Sequence, residues 1–315
     1  MENWPQTFGL IELRKKTQAD HDFWHNKEAC RLLTPEVVIP DEIYDSLEEW
    51  KRRVAMAAAV GLTVDTAIIA GRAAARLWDI NVLSDDPTVE LLHTDGKQAG
   101  ARSTWPPGVH HRRNHLSSDD VVTIHGLRVT SIPRTLRDIA AWHGVLDGLV
   151  SIDNTRKKWE GTTQEYLSGK LLSGAQFAGK ARVREAIALS ISNSASPLES
   201  KARYLILKSD LTGIETLEPQ GEIIVSPVEE YYVDFLINDW IAVEMDGYFK
   251  LDGTSFGKTD EMLRKERARE VAIQNTGRRF IRAGWEHLRP GWDGRIPLLT
   301  LIDDALRTHP VPVLG

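Results

Sequence analysis

The chain has 315 residues, of which 42% are apolar and 27% charged, with a formal net charge of −6 and a single cysteine, Cys30. The length suits two domains or one domain with large additions. One cysteine excludes an internal disulfide and a thiolate zinc cluster, no apolar run approaches the roughly 18 residues of a membrane span, and Met1–Lys15 lacks the apolar stretch of a secretory signal, so a cytoplasmic location is expected.

Residues 1–50 are polar and tryptophan-bearing, with little periodicity beyond Val37-Val38-Ile39, a short strand stopped by Pro40. Apolar spacing predicts a helix over Asp41–Ala59 and a second, Ala-rich one over Thr66–Leu77, ending near Trp78. Val89–His93, Gly108–Arg112 and Val121–Val129 read as strands, with turns at Asp95-Gly96 and His125-Gly126. Ser131 is placed to cap a helix that has Pro133 just inside it and runs through Asp138. Residues 145–195 read as helices and loops that end in the polar stretch Ser192-Asn193-Ser194-Ala195, where a domain boundary is expected. The first domain is therefore 1–195, helical over 41–80, β-rich over 88–130 and helical over 133–191, and the second is 196–315.

Ser196-Pro197-Leu198-Glu199 opens the second domain with a helix: Ser196 as N-cap, Pro197 at the first helical position, Glu199 closing a capping box. In such a box a glutamine would serve nearly as well, so Glu199→Gln is expected to preserve the cap. Strands follow over Glu222–Ser226, Glu230–Ile237 and Ile241–Gly247, then a helix over Thr259–Asn275 stopped by Gly277, a strand over Arg278–Ala283 and a last helix over Ile296–Arg307.

The two middle strands carry the chemistry. Side chains alternate faces along a strand, so register decides whether Asp234, Glu244 and Asp246 meet. A two-residue loop at Asn238-Asp239 sets Asp234 against Val243 and mixes acids with apolar groups. A three-residue loop, Asn238–Trp240, sets Asp234 against Glu244, Phe235 against Val243 and Ile237 against Ile241, sending the apolar set to the core and the acids to the other face. A slip of one residue is costly when one face is buried, so the three-residue register is expected. Carboxylates gathered at one spot repel unless a cation sits among them, and hard oxygen ligands suit Mg2+ or Mn2+.

Charge along the domain is uneven. Residues 196–315 carry 15 Lys+Arg against 20 Asp+Glu, yet Arg264–Arg282 holds seven basic residues and two acids. An acidic centre beside a basic ridge that includes Arg264, Lys265, Arg269 and Arg282 suits a metal-using phosphodiesterase: carboxylates for the cation, basic side chains for the phosphates. A solvated helix face accounts for the same charges without function.

Taken together, V-D-F at Val233–Phe235, E-M-D-G at Glu244–Gly247, the helix S-P-L-E-S-K-A-R from Ser196, and the E-R-A-R-E…I-Q-N-T-G-R-R-F-I-R-A-G-W-E run over Glu266–Glu286 resemble the PD-(D/E)xK nuclease superfamily, in the branch similar to very-short-patch repair endonucleases. The resemblance covers about 95 residues. It implies an α/β (α+β) restriction-endonuclease-like domain, a central mixed sheet flanked by helices, with Mg2+ or Mn2+ held by Asp234 and Glu244 and assisted by Glu199. The lysine that the superfamily places after the second acid is Asp246 here; Lys250, shortly after, is a candidate for the missing positive charge. More faintly, Arg128–Asp138 (R-V-T-S-I-P-R-T-L-R-D) and the helix around Ala73–Trp78 resemble abortive-infection type IV antitoxin proteins, implying an α+β antitoxin-like first domain. The basic run His110-His111-Arg112-Arg113 is a possible phosphate contact but reads more simply as surface, and His110, His111 and His115 lack sequence partners for a zinc site.

Two functions remain open at this point. One is a metal-dependent DNA endonuclease acting in phage defence or DNA repair. The other is a DNA-binding, antitoxin-type transcriptional regulator with an inactive nuclease-like domain and a cognate toxin as partner.

Overall fold

The computed structural model describes residues 1–25, 27–93, 106–247 and 260–308. The protein is mixed α/β and divides into two compact units, Met1–Ser190 and Ile191–Gly315. Hydrogen bonds account for the division point. The Ser190 carbonyl accepts from Gln164 at 2.9 Å and also from Arg156, both in the first unit, whereas Ser194 bonds Ser200 at 2.9 Å and Asn193 bonds the Pro219 carbonyl at 3.2 Å in the second. Among the described residues no helix is long and apolar enough to cross a membrane.

The first unit begins with α1 (Trp4–Thr7), β1 (Ile11–Glu12), α2 (His21–His25), β2 (Cys30–Thr34) and β3 (Val37–Pro40); its strands form a sheet in the order β1-β3-β2. The helix expected over Asp41–Ala59 is two helices, α3 (Asp41–Ser46) and α4 (Glu49–Thr63), separated where Leu47 turns extended at ψ 134°. The helix expected from Thr66 starts later. Ile68–Ala70 form β4, and only Gly71–Leu77 are helical, as α5. Periodicity alone cannot tell a short buried strand from a helical turn. Here β4 is fully buried between β5 (Val89–Leu92) and β8 (Leu127–Thr130), so its backbone groups are satisfied on both edges. Gly71 makes the strand-to-helix turn at φ +55°, and a Cβ there would lie 2.1 Å from a Glu90 carboxylate oxygen. With β6 (Val109–Arg112) and β7 (Val121–Ile124) these strands form a mixed sheet in the order β6-β5-β4-β8-β7. His125 and Gly126, both at positive φ, close the β7–β8 hairpin, while the turn expected at Asp95-Gly96 lies outside the described residues. Four helices complete the unit: α6 (Ile132–His143), α7 (Val145–Lys158), α8 (Gln164–Leu171) and α9 (Lys180–Leu189), packed through Leu136, Ile139, Ile152, Leu167, Val183 and Ile187.

The second unit runs α10 (Pro197–Leu207), β9 (Leu217–Ser226), β10 (Glu229–Ile237), β11 (Ile241–Met245), α11 (Asp260–Asn275), β12 (Arg279–Ala283) and α12 (Pro297–Thr308). Its sheet has the order β12-β11-β10-β9, antiparallel except for the parallel β11–β12 pair, whose connection carries α11. The β10–β11 register pairs Phe235 with Val243 and Ile237 with Ile241 across a three-residue connection. Asn238 and Asp239 adopt φ of +50° and +60°, conformations that Asn and Asp tolerate better than most residues, and Trp240 is the extra residue that sets the register. The Asn238 side chain pins the turn, accepting from the backbone amides of Glu215 (2.7 Å) and Thr216 (3.0 Å) and donating to the Gly213 carbonyl (2.6 Å). Phe235, Ile237, Ile241 and Val243 pack with Leu198, Ala202 and Ile206 of α10, spaced one helical turn apart, and with Leu298 and Ile302 of α12. Leu236 and Ala242, whose positions alternate with those, pack instead with Ile273 of α11. The side opposite the main core is thus itself partly apolar and covered by a helix, rather than purely acidic.

Candidate functional site

Glu199, Glu244 and Asp246 line one cavity of the second unit, of about 410 Å3. Glu266 and Glu270 bring its carboxylates to five; Arg269 and Arg282 are its only guanidiniums among the described residues. Each functional side chain is placed by an element whose local logic is visible. Glu199 sits in the first turn of α10, where Ser196 caps the helix by accepting from the Glu199 amide at 3.2 Å. The box closes differently from the expected form. The Glu199 carboxylate accepts from the backbone amide of Ala195 (2.8 Å) and from the Ser196 hydroxyl (2.9 Å). Glu244 is on β11, and Asp234, on β10, lies opposite it by continuation of the observed register.

Asp234 does not line the cavity. One of its oxygens accepts from the Met245 amide at 2.6 Å and the other from the Gln220 side-chain amide at 3.4 Å, so it sits behind Glu244 as a partly buried anchor. The Gln220 amide also donates to Glu199 at 3.2 Å. A single side chain therefore ties the acid of α10 to the acid of β10. Gln220 adopts φ +55° inside β9, an uncommon conformation for a residue with a side chain, and its neighbour Gly221 has no room for a Cβ, which would fall 2.4 Å from that of Leu236. Sequence reading missed Gln220. The available signal was Pro219-Gln220-Gly221, which looks like a break between elements and delayed the predicted start of β9 to Glu222.

Arg269 reaches across from α11 to Glu244 and to the Tyr232 carbonyl. Burial pushes the Glu244 carboxyl up to about 7, with Arg269 and Arg282 pulling it down and Asp234 and Glu199 adding to the rise. Burial also raises Asp234, against the opposing hydrogen bonds from Met245 and Gln220. Carboxylates lifted toward neutrality by burial and by one another are chemically suited to a divalent cation, which would favour their charged forms. Carboxylate oxygens are the ligands a hard ion takes, and Glu199 and Glu244 line the cavity, while the oxygens of Glu199 and Asp234 already accept from the Ala195 and Met245 amides, the Ser196 hydroxyl and Gln220. Among the described residues, however, no three His, Cys, Asp or Glu side chains stand as a ready-made coordination group.

The remaining expected site residues separate. Asp246 lines the cavity through the turn after β11, with its amide bonded to the Ala283 carbonyl at 2.8 Å. Arg282 lines it too, near Glu270 at 3.8 Å. Arg264 and Lys265 are exposed on α11 outside the cavity lining, and Lys265 pairs with Glu261 at 2.8 Å. Lys250 lies outside the described residues. In the first unit, Arg112 of the basic run is spoken for by Glu90, at 2.6 Å.

No protein-family model, curated protein or solved structure matches the chain.

Proposed function

We propose that the second unit is a divalent-metal-dependent DNA endonuclease of restriction-endonuclease-like architecture. The observation that carries the reading is the linked trio of acids: Glu199 and Asp234 joined through Gln220, and Glu244 held beside them by Arg269. The element order, with a helix, three antiparallel strands, a helix and a parallel strand, supports it as a mixed sheet flanked by helices. Asp234 and Glu244 would hold Mg2+ or Mn2+, with Glu199 assisting. Such an ion supplies a water nucleophile activated near neutral pH and stabilises charge on the phosphate. The chain's own residues then have defined tasks. Gln220 and the Met245 amide orient Asp234, Arg269 offsets the charge of Glu244, and Arg282 offers a guanidinium to a phosphate oxygen. The working location for this activity is the cytoplasm, with DNA as partner.

Two observations favour a second reading. Arg269 is already paired with Glu244, and Asp246 stands where the superfamily has lysine. A site whose arginine is held by its own acid and that lacks the lysine suits a protein that binds DNA without cleaving it, a regulator of antitoxin type with a toxin as partner. A cleavage assay of the full chain on plasmid, single-stranded and mismatched DNA, with Mg2+, Mn2+ or EDTA, separates the two. The endonuclease reading expects metal-dependent nicking that Asp234→Asn abolishes while the circular dichroism spectrum is retained. Cleavage equal in wild type and variant would remove this site from the chemistry, and DNA binding with no cleavage under either metal would favour the regulator.

A further inference from the structure

A second cluster of cations lies in the first unit, far in sequence from these acids and independent of the metal reading. Arg134 and Arg137 are three residues apart on α6 and so share a face. Arg134 is almost fully buried, its side chain 1% exposed. Its Nε donates to both oxygens of Asp138 at 2.9 Å, and its Nη1 donates to the His115 carbonyl (2.7 Å) and to Asp120 (3.1 Å). Its Nη2 is buried and has no acceptor. Arg137 stacks over the Phe177 ring, 3.7 Å from its centroid, and its buried Nε also has no acceptor. Both arginines and Lys170 line a cavity of about 470 Å3, and Asp120 is the one carboxylate among its lining residues. That carboxylate is already engaged by Arg134 and by the Ser117 amide at 2.9 Å.

A purely structural account covers part of this. Arg134 clamps the Asn114–Asp120 loop to α6, and stacking explains where Arg137 lies. Neither explains why two neighbouring guanidiniums each keep a buried N–H without an acceptor. Leaving a buried donor unpaired is costly, and a charged donor more so. Burial and the charge of Arg134 also lower the basicity of Arg137, against the opposing charges of Asp138 and Asp120.

We propose that this cavity is an oxyanion site that takes a phosphate group beside Arg134 and Arg137, whose closed-off Nη2 and Nε groups turn toward it by a small side-chain shift, with Lys170 as an outer point charge. The planar fork of arginine matches phosphate oxygens, and stacking on Phe177 fixes the Arg137 plane before the ligand arrives. The phosphate can belong to a small phosphorylated molecule or to a nucleic-acid backbone, since both present the same oxygens.

The test is calorimetric titration of the full chain with pyrophosphate and, separately, with a short DNA duplex, at constant ionic strength. Wild type is expected to bind at least one probe saturably, and Arg137→Gln to weaken it at least tenfold while melting within a few degrees of wild type without ligand. Saturation by pyrophosphate points to the small-molecule source; saturation by duplex alone points to the backbone. Should Arg137→Gln not fold, Lys170→Gln, at an exposed position, is expected to weaken the same probe severalfold. Binding by neither probe, or unchanged affinity in the variant that folds, overturns the proposal.

Discussion

Three donors converge on the Glu199 carboxylate: the Ala195 amide, the Ser196 hydroxyl and the Gln220 amide. The sequence suggested that a glutamine would preserve the cap. The geometry reverses that expectation, because a glutamine offers one acceptor oxygen and puts an NH2 group where a second is needed. Glu199→Gln is expected to lower stability by about 1–2 kcal/mol, read from urea unfolding, and to weaken any metal-dependent cleavage. A variant as stable as wild type would mean that the donors rearrange freely around the side chain. Glu244 makes a second prediction at this scale. Its folded carboxyl titrates near 7 against an ordinary value of 4.5, so the folded state holds its proton more tightly than the unfolded chain does. Its stabilising contribution is therefore complete below about pH 4.5 and is lost as pH rises toward 7, with a slope of up to about 1.4 kcal/mol per pH unit. Without metal, Glu244→Gln is expected to flatten this loss, and Mg2+ to flatten it in wild type only. Equal slopes in the two proteins would separate Glu244 from the pH response.

At the scale of elements, α11 divides its cations between two tasks. Arg269 turns inward to Glu244, while Arg264 and Lys265 stay exposed. For a DNA-binding face, replacing Arg264 and Lys265 together with alanine is expected to weaken binding regardless of sequence and to reduce the slope of log K against log salt by about 2. An unchanged slope would identify them as a solvated surface. The same helix shows what the sequence could and could not convey. The α10 cap, the three-residue β10–β11 register and the stop at Gly277 were legible because they rest on local chemistry and on sorting apolar from acidic positions. The strand at Ile68–Ala70 was not, because a three-residue buried strand carries no period of its own and depends on partners at Leu91 and Val129. Gln220 was illegible for a related reason: its part in the candidate site comes from a left-handed backbone and from acids 21 and 14 residues away. The inward turn of Arg269 toward Glu244 likewise depends on how α11 packs against the sheet.

For the whole molecule, the cores separate as the chain does. The clusters built on Val54, Leu77 and Leu91 and on Leu136, Ile152 and Val183 draw only on the first unit, and that built on Phe235, Val243 and Ile302 only on the second. Each unit also contains its own neutral-range acid. Burial raises Asp138 to about 7 in the first, as it raises Glu244 in the second. The fragment 191–315 is therefore expected to fold without the rest. It should unfold cooperatively in urea and keep the loss of stability between about pH 4.5 and 7 that depends on Glu244. The complementary fragment 1–190 should show a loss of the same sign that Asp138→Asn removes, because a folded carboxyl raised from 3.8 to about 7 gives up its stabilising contribution as pH climbs through that window. A 191–315 fragment with the spectrum of an unfolded chain would show that its sheet depends on the first unit. A pH response in that fragment that survives Glu244→Gln would place the titrating group elsewhere in the second unit, with Asp234, also raised by burial, as the next residue to replace.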